Sequence, residues 1–207
     1  MLEVPVYDMQ GNALEKLQVD PAVFGGEVNA ALLKQAVVAY HTNSHQGSAH
    51  NRGRSDVAYS TRKMFRQKGT GNARRGDRKT NLLRGGGVAF AKSPYRVRHA
   101  LTRKMRRKAL QSAILAKLIG ENLLVVQDLK LDAPKTKTIA TMLDKLQVHR
   151  SCLLALAQHD DVIYRSARNL PKTAVRTVEE LNAWDVARRQ KMVISRQAMD
   201  ALLEGAK

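Results

Sequence analysis

Between Arg62 and Phe90 the chain reads RKMFRQKGTGNARRGDRKTNLLRGGGVAF. Arginine and glycine interleave there with almost no acid and no regular apolar period. Arginine presents a planar fork of donors that matches phosphate oxygens and stacks on bases. Glycine, lacking a Cβ, lets a backbone adopt unusual φ and pass close to sugar and phosphate. The chemistry on offer is therefore neutralisation and close approach of a polyanion, with RNA the best fit. Residues 51–108 hold 19 Lys or Arg against two acids, Asp56 and Asp77, so this tract carries +17 of the chain's +18. The remainder, with 17 bases and 16 acids, is nearly neutral. Each phosphate such a tract neutralises releases condensed counterions, which makes localised charge a binding device.

The residues expected at the nucleic acid are Arg52, Arg54, Arg62, Lys63, Arg66, Lys68, Arg74, Arg75, Arg78, Lys79, Arg84, Lys92, Arg96 and Arg98. Gly69, Gly71, Gly85 and Gly86 provide close approach. The charge continues onto a predicted helix at Arg103, Lys104, Arg106 and Arg107. Tyr59, Phe65, Phe90 and Tyr95 are spaced as base-stacking groups, although a local cluster pinning the arm is the competing use, above all for Tyr95. A solvated disordered tail is the plain alternative for the whole run. Against it, the run is internal and includes Met64-Phe65, Leu82-Leu83 and Val88-Ala89-Phe90.

Other chemistries find little support. Gly71-Asn-Ala-Arg-Arg-Gly76 is followed by Asp77-Arg78 rather than the Lys and Ser or Thr of a phosphate-cradling loop. A dinucleotide fingerprint requires its glycines between a strand and a helix. The six histidines lack metal-ligand spacing. Asp128 with Asp132, and Asp160 with Asp161, fall at strand exits where Asp is locally favoured. Cys152, inside Ser151-Cys-Leu-Leu-Ala-Leu-Ala157, reads as a buried hydrophobe. No catalytic residues, cofactor or metal are expected. With no run of about 18 apolar residues and no basic-then-apolar leader, the chain reads as soluble and cytoplasmic or organellar, with no membrane contact. Two rivals stay open on residues alone: a general DNA-compacting protein, and a nucleotide-dependent enzyme built on residues 101–207.

The elements that must hold this tract lie on either side of it. Glu3–Tyr7 and Leu14–Val19 alternate around Gln10-Gly11-Asn12 and predict a hairpin. Asn29 predicts the cap of a helix carrying Leu33, Ala36, Val37 and Tyr40, ended by the polar run from Thr42 to Gly47. Residues 48–98 show neither period, which is too long for a passive connection inside a compact domain. If half run out and half return, their reach is at most about 90 Å. Thr102 predicts the cap of the next helix, with Met105, Ala109, Ala113, Leu110, Ile114 and Leu118 as its stripe and Gly120 at its end.

Strands at Leu123–Val126, Cys152–Ala157, Ala174–Val178 and Met192–Ile194 then alternate with helices: one carrying Ile139, Met142, Leu143 and Leu146, others at 161–168, at 179–188 (Thr177 with Glu180 as capping box) and, capped by Ser195, at 196–204. The expected fold is α/β, a mostly parallel sheet with helices on both faces in Rossmann-like layering, plus a long extended basic internal loop. Residues 1–47 and 99–207 form a single globular domain on this reading, and 48–98 an RNA-penetrating loop.

Three segments carry a family resemblance: Arg66-Gln-Lys-Gly-Thr-Gly-Asn-Ala-Arg74, Arg84-Gly-Gly-Gly-Val-Ala-Phe90 and Lys104-Met-Arg-Arg-Lys-Ala-Leu110. Glu27-Val-Asn29, Gln46-Gly47, Ala133-Pro-Lys-Thr-Lys137 and Ser166-Ala-Arg-Asn-Leu170 support it. The chain resembles, over nearly its whole length, the bacterial large-subunit ribosomal protein four family. That resemblance implies a non-enzymatic structural constituent of the large ribosomal subunit, in the cytoplasm, that binds large-subunit (23S-type) rRNA and supports assembly. It further implies a loop tip, Arg66, Gln67, Lys68, Gly69 and Thr70, lining the constriction of the nascent-peptide exit tunnel. The implied partners are that rRNA, neighbouring large-subunit proteins including protein twenty-two at the constriction, and the nascent polypeptide. The chain departs from the family pattern in Val57-Ala-Tyr-Ser-Thr61 followed by Lys63-Met-Phe65, where a glycine-rich run and Lys-Pro-aromatic are common, and in the bulk of Trp184.

Overall fold

The computed structural model describes residues 1–94 and 98–206; Tyr95 and Arg96, both singled out above, lie outside the described residues. Contacts divide the chain into two units, residues 1–41 with 99–207, and residues 42–98. The first is an α/β unit.

Its six-stranded sheet has the order β2-β1-β3-β6-β4-β5, comprising β1 (Leu2–Tyr7), β2 (Ala13–Val19), β3 (Leu123–Val126), β4 (Cys152–Leu156), β5 (Thr173–Thr177) and β6 (Lys191–Ser195). Only β1 and β2 pair antiparallel; the other four pairings are parallel. The hairpin turn is fixed by the Asp8 carboxylate, which accepts from the N–H groups of Gln10 and Asn12. Gly11 sits there at φ +83°, and a Cβ would lie 2.9 Å from that of Lys145, so glycine is required twice over. The edge strand β2 is mostly exposed and carries Lys16, paired with Glu3 at 2.7 Å, a charged edge that discourages further strand pairing.

Every residue of β3 and β4 is buried, as expected of strands covered on both faces. Alternation then sorts them. Leu123, Val125, Leu153 and Ala155 face one layer, with Ala113 and Leu115 of α2 (Arg103–Ile119), Val186 of α5 (Ala183–Arg188) and Met199 of α6 (Arg196–Ala206). Leu124, Val126, Leu154 and Leu156 face the other, with Ile139 and Met142 of α3 (Thr136–Lys145) and Ile163 of α4 (Asp161–Ala167). Each fully buried leucine contributes about 1.5–3 kcal/mol of burial. Cys152 belongs to the second layer, where burial pushes its thiol up to about 12, the opposite of an activated nucleophile.

Two helices differ from the spacing-based expectation. α1 (Ala30–Ser44), whose start is capped by Asn29 Oδ1 accepting from Leu32, runs past Tyr40, because an exposed polar run need not stop a helix that has no Gly or Pro in it. The helix expected over 179–188 begins only at Ala183. Residues after Thr177 form a turn, and Asn182 is the cap: its Oδ1 accepts from Asp185 N–H while its Nδ2 donates to Asp185 Oδ2. Arg176 on β5 donates to the same carboxylate oxygen at 3.1 Å and ties it to the sheet. Trp184 in that helix is half-buried, its ring centroid 5.4 Å from that of His41 on α1. Among the described residues no helix is long and apolar enough to cross a membrane, and no group of His, Cys, Asp or Glu could hold a metal ion.

Candidate nucleic-acid interface

Among the described residues of 42–98 there is no named strand and, beyond the end of α1, no helix, yet their backbone is held at defined points. Asn51 N–H donates to the Lys92 carbonyl at 2.8 Å and Val88 N–H to the Arg52 carbonyl at 2.9 Å, with a single parallel bridge between Gly53 and Val88. These bonds join an outgoing limb to a returning one. Gly87 N–H donates to the Lys79 carbonyl, so three chain segments meet in one neck.

The neck explains glycines that the sequence left to RNA approach. A Cβ on Gly86 would lie 1.9 Å from the Thr80 carbonyl oxygen, and one on Gly87 would lie 2.4 Å from the Arg54 backbone nitrogen. Both obstacles are backbone, which cannot swing aside. Gly86 and Gly87 are thus consumed by the protein's own crossing, whereas Gly69 and Gly71, at φ +83° and +64°, shape turns in the stretch between the crossing segments.

Sequence reasoning counted the two acids of the tract only as scarce; the structure gives each a task. Asp56 Oδ2 accepts from Gly53 N–H at 2.9 Å. Asp77, with its side chain only 10% exposed, accepts from the Arg54 guanidinium at 3.2 Å. A lone acid three residues after a glycine in an otherwise basic tract was the available signal for the first. Nothing in the sequence pairs Arg54 with Asp77, 23 positions apart.

Most of the predicted contact residues stand exposed: Arg52, Arg54, Arg62, Lys63, Arg66, Lys68, Gly69, Gly71, Arg74, Arg75, Arg78, Arg84, Gly85, Lys92 and Arg98, with Lys79 and Gly86 half-buried. Within residues 63–76, Arg66 folds back to donate to the Gly69 carbonyl at 2.7 Å and Lys63 donates to Gln67 Oε1 at 2.9 Å, while Met64 N–H donates to the Gly76 carbonyl. The aromatics part company. Tyr59 lies under the Arg78 guanidinium at 5.3 Å, with its hydroxyl against Gly85, which is the local-cluster use. Phe90 is 96% exposed and Leu82 86%, an unusual display of apolar surface among cations.

In the α/β unit, Arg103, Lys104, Arg106 and Arg107 are exposed on the first turns of α2. Thr102 Oγ1 caps the helix by accepting from Met105 N–H, and Gly120 follows its last residue, as expected. The first turn contains no acid. Cations at a helix N-terminus oppose the positive end of the macrodipole and cost stability, an arrangement that becomes favourable once an anion covers them. Arg107 is the exception, since its guanidinium also donates to the Gly205 carbonyl near the end of α6 at 2.7 Å, where the dipole favours a cation. At the far end of α2, Lys117 donates to the carbonyls of Arg189 and Gln190, and burial lowers its pKa below that of an ordinary lysine.

Comparison with known proteins agrees with this geometry. A model of the Ribosomal protein L4/L1 family matches residues 17–205. The chain is 40% identical over 199 residues to the large ribosomal subunit protein uL4 of Symbiobacterium thermophilum, covering 96% of each chain. It is 38% identical over 204 residues to that of Moorella thermoacetica, covering 99% of each, and 36% identical over 206 residues to that of Rhodopirellula baltica, covering 99% of this chain and 93% of that one. A basic unit of crossing limbs, an α/β unit of doubly wound type and identity sustained across nearly the full length lead to one conclusion: this chain belongs to the Ribosomal protein L4/L1 family, as a structural and non-enzymatic protein of the large ribosomal subunit.

Proposed function

We propose that residues 48–98 form a loop that penetrates large-subunit rRNA, with residues 1–47 and 99–207 as the single domain that anchors it, and that this binding supports subunit assembly. The observation that carries the reading is the use of the two acids. Residues 51–108 hold 19 bases, and both acids are committed internally, Asp56 to a backbone N–H and Asp77 to Arg54. The tract's +17 therefore has almost no neutraliser within itself, and phosphates supply one while their counterions are released. Arginine forks at Arg74, Arg75 and Arg84 suit converging phosphate oxygens, and Phe90 offers a face for stacking. On this reading Arg66, Gln67, Lys68, Gly69 and Thr70 narrow the exit tunnel, where the partners are protein twenty-two and the nascent polypeptide. The setting is the ribosome, which is cytoplasmic in bacteria.

The test is a competition titration at moderately high salt, large-subunit rRNA against duplex DNA of equal phosphate count. A strong RNA preference is expected. Replacing Arg74, Arg75 and Arg84 together with alanine should lower the salt slope of RNA binding by about 2 to 3 units, at roughly 0.7–0.9 per lost phosphate contact. Equal binding to RNA and DNA would favour a general polyanion binder, and an unchanged slope would remove the arm from the interface.

A further inference from the structure

Because β3, β4 and β6 are parallel, their carboxyl ends meet along one edge of the sheet, and the chain leaves them toward opposite faces. The helices after β3 and β4 pack in one layer, and α6 after β6 packs in the other. Such a divergence opens a crevice in doubly wound sheets, the place where this architecture takes ligands. Here it is a cleft of about 660 Å³, walled by residues 127–130, 156–161 and by Ser195 with Gln197.

The usual occupant of such a crevice is an anion seated on a helix N-terminus, and this chain has closed that option. Asp160 fills the start of α4 with its own carboxylate, accepting from Val162 N–H at 2.8 Å and Ile163 N–H at 3.2 Å. Asp161 places a second carboxylate beside it, 3.1 Å from His159 Nε2. At the start of α6, Ser195 Oγ takes the Ala198 N–H. With Asp128 on the β3 side, the walls carry three carboxylates, Asp160 spent on the α4 cap and Asp161 beside the His159 ring, against one ammonium, Lys130, in a chain whose net charge is +18. The local sign is inverted relative to the molecule, so the cleft repels phosphate and attracts donors of positive charge. Its apolar lining, with Leu129, Leu156 and Ile163 at its margin, suits methylene stems, and the side-chain carbonyls of Gln127 and Gln158 suit guanidinium N–H groups.

We propose that this cleft is a docking site for an extended arginine-rich segment of another protein in the same particle. Charge complementarity carries the choice of occupant: the cleft is a concave acidic surface on a basic protein, and segments dense in arginine are a currency of that particle, as residues 62–84 of this chain illustrate. The inference rests on family membership and on the cleft, and stands or falls separately from the RNA reading.

The experiment uses the full-length chain, titrated calorimetrically with acetylated hexa-arginine amide at about 0.15 M salt, where exposed charges beyond about 8 Å are screened. ATP and spermidine serve as separate titrants. Binding of the peptide, weaker binding of spermidine and, with ATP, no shift of the amides at 127–130 and 156–161 are expected, since the basic tract elsewhere in the chain can itself take polyphosphate. The double variant Asp128→Asn with Asp161→Asn should weaken the peptide about tenfold, since two exposed charge contacts are removed while the Asp160 cap is left in place. Amide resonances of residues 127–130 and 156–161 in the unmutated chain should shift on titration, which keeps the test independent of how the variant folds. No binding by about 1 mM, undiminished binding to the double variant, ATP-induced shifts at residues 127–130 and 156–161, spermidine binding as tightly, or peptide shifts confined to other residues would each overturn the proposal.

Discussion

The α/β unit fixes its backbone by burying alternate side chains on two sides of a sheet, whereas residues 42–98 fix theirs with crossings of bare backbone, glycine and two carboxylates. In the first unit Leu153, Leu154, Val193 and Ile194 are fully buried. In the second, Leu82 and Phe90 are almost wholly exposed, and Gly86 and Gly87 cross the Thr80 carbonyl and the Arg54 backbone with no room for a Cβ. The difference teaches where each unit's stability must come from. A buried core supplies its own driving force, while a segment that exposes its apolar groups and repels itself electrostatically depends on a partner for it.

The comparison breaks most visibly if the second unit is removed. Deleting 52–97 with a short linker takes away 13 of the 19 bases in the tract. If only half of them meet phosphate, the salt slope of RNA binding falls by about five units. The remaining domain should still unfold in one cooperative transition, because the described residues of its two core layers all lie outside the deletion. Loss of that cooperativity would mean that the arm is part of the fold. The converse experiment is Leu154→Ala in the core, expected to cost about 2–5 kcal/mol in urea unfolding. Its RNA salt slope should stay as in the parent chain; a reduced slope would tie the two units together energetically.

Gly87→Ala sharpens the contrast at smaller scale. A Cβ there meets the Arg54 nitrogen and, at 2.6 Å, its Cα, so the neck must open by a backbone shift costing about 1–3 kcal/mol locally. Limited proteolysis within 48–98 should accelerate, while the domain's stability moves by less than about 0.5 kcal/mol, as for a change remote from its core. Unaltered cleavage would show that the neck is not a constraint in solution.

How much could be read beforehand follows the same division. The unbroken apolar run Leu123–Val126 and the stripe through Ala109, Ala113 and Ile114 report burial directly, so strands, helices and sheet class were legible. The start of α5 was not, because Thr177 with Glu180 and Asn182 with Asp185 are both plausible caps, and only the reach of Arg176 to the Asp185 carboxylate separates them. In the arm, the charge was legible and the architecture was not. A crossing of three backbone segments at Gly86 and Gly87 has no periodic signature, and the Arg54–Asp77 pair is a long-range contact between two exposed-looking residues. The cleft at the strand ends was hidden for a related reason: Asp128 and Asp160 look like turn residues until parallel pairing brings their loops together.

The smallest expected effect is also the one in which stability and function pull in opposite directions. Lys104 occupies the second position of α2, where no acid offsets the macrodipole, and Lys108 lies one turn farther on. Lys104→Glu replaces an unfavourable charge with a favourable one and sets a carboxylate four residues before a lysine, an orientation that adds a few tenths of a kcal/mol. The free protein should therefore gain about 0.3–1 kcal/mol at low ionic strength, and the gain should shrink as salt is added because the site is exposed. If the start of α2 meets phosphate, the same change should weaken RNA binding and lower its salt slope by about one unit. Denaturant titrations at two salt concentrations, paired with RNA titrations over the same range, read both quantities on one variant. A chain that is stabilised yet binds RNA as before would confine the interface to the arm, and a chain that is destabilised would mean that Lys104 has a structural partner whose loss outweighs the dipole.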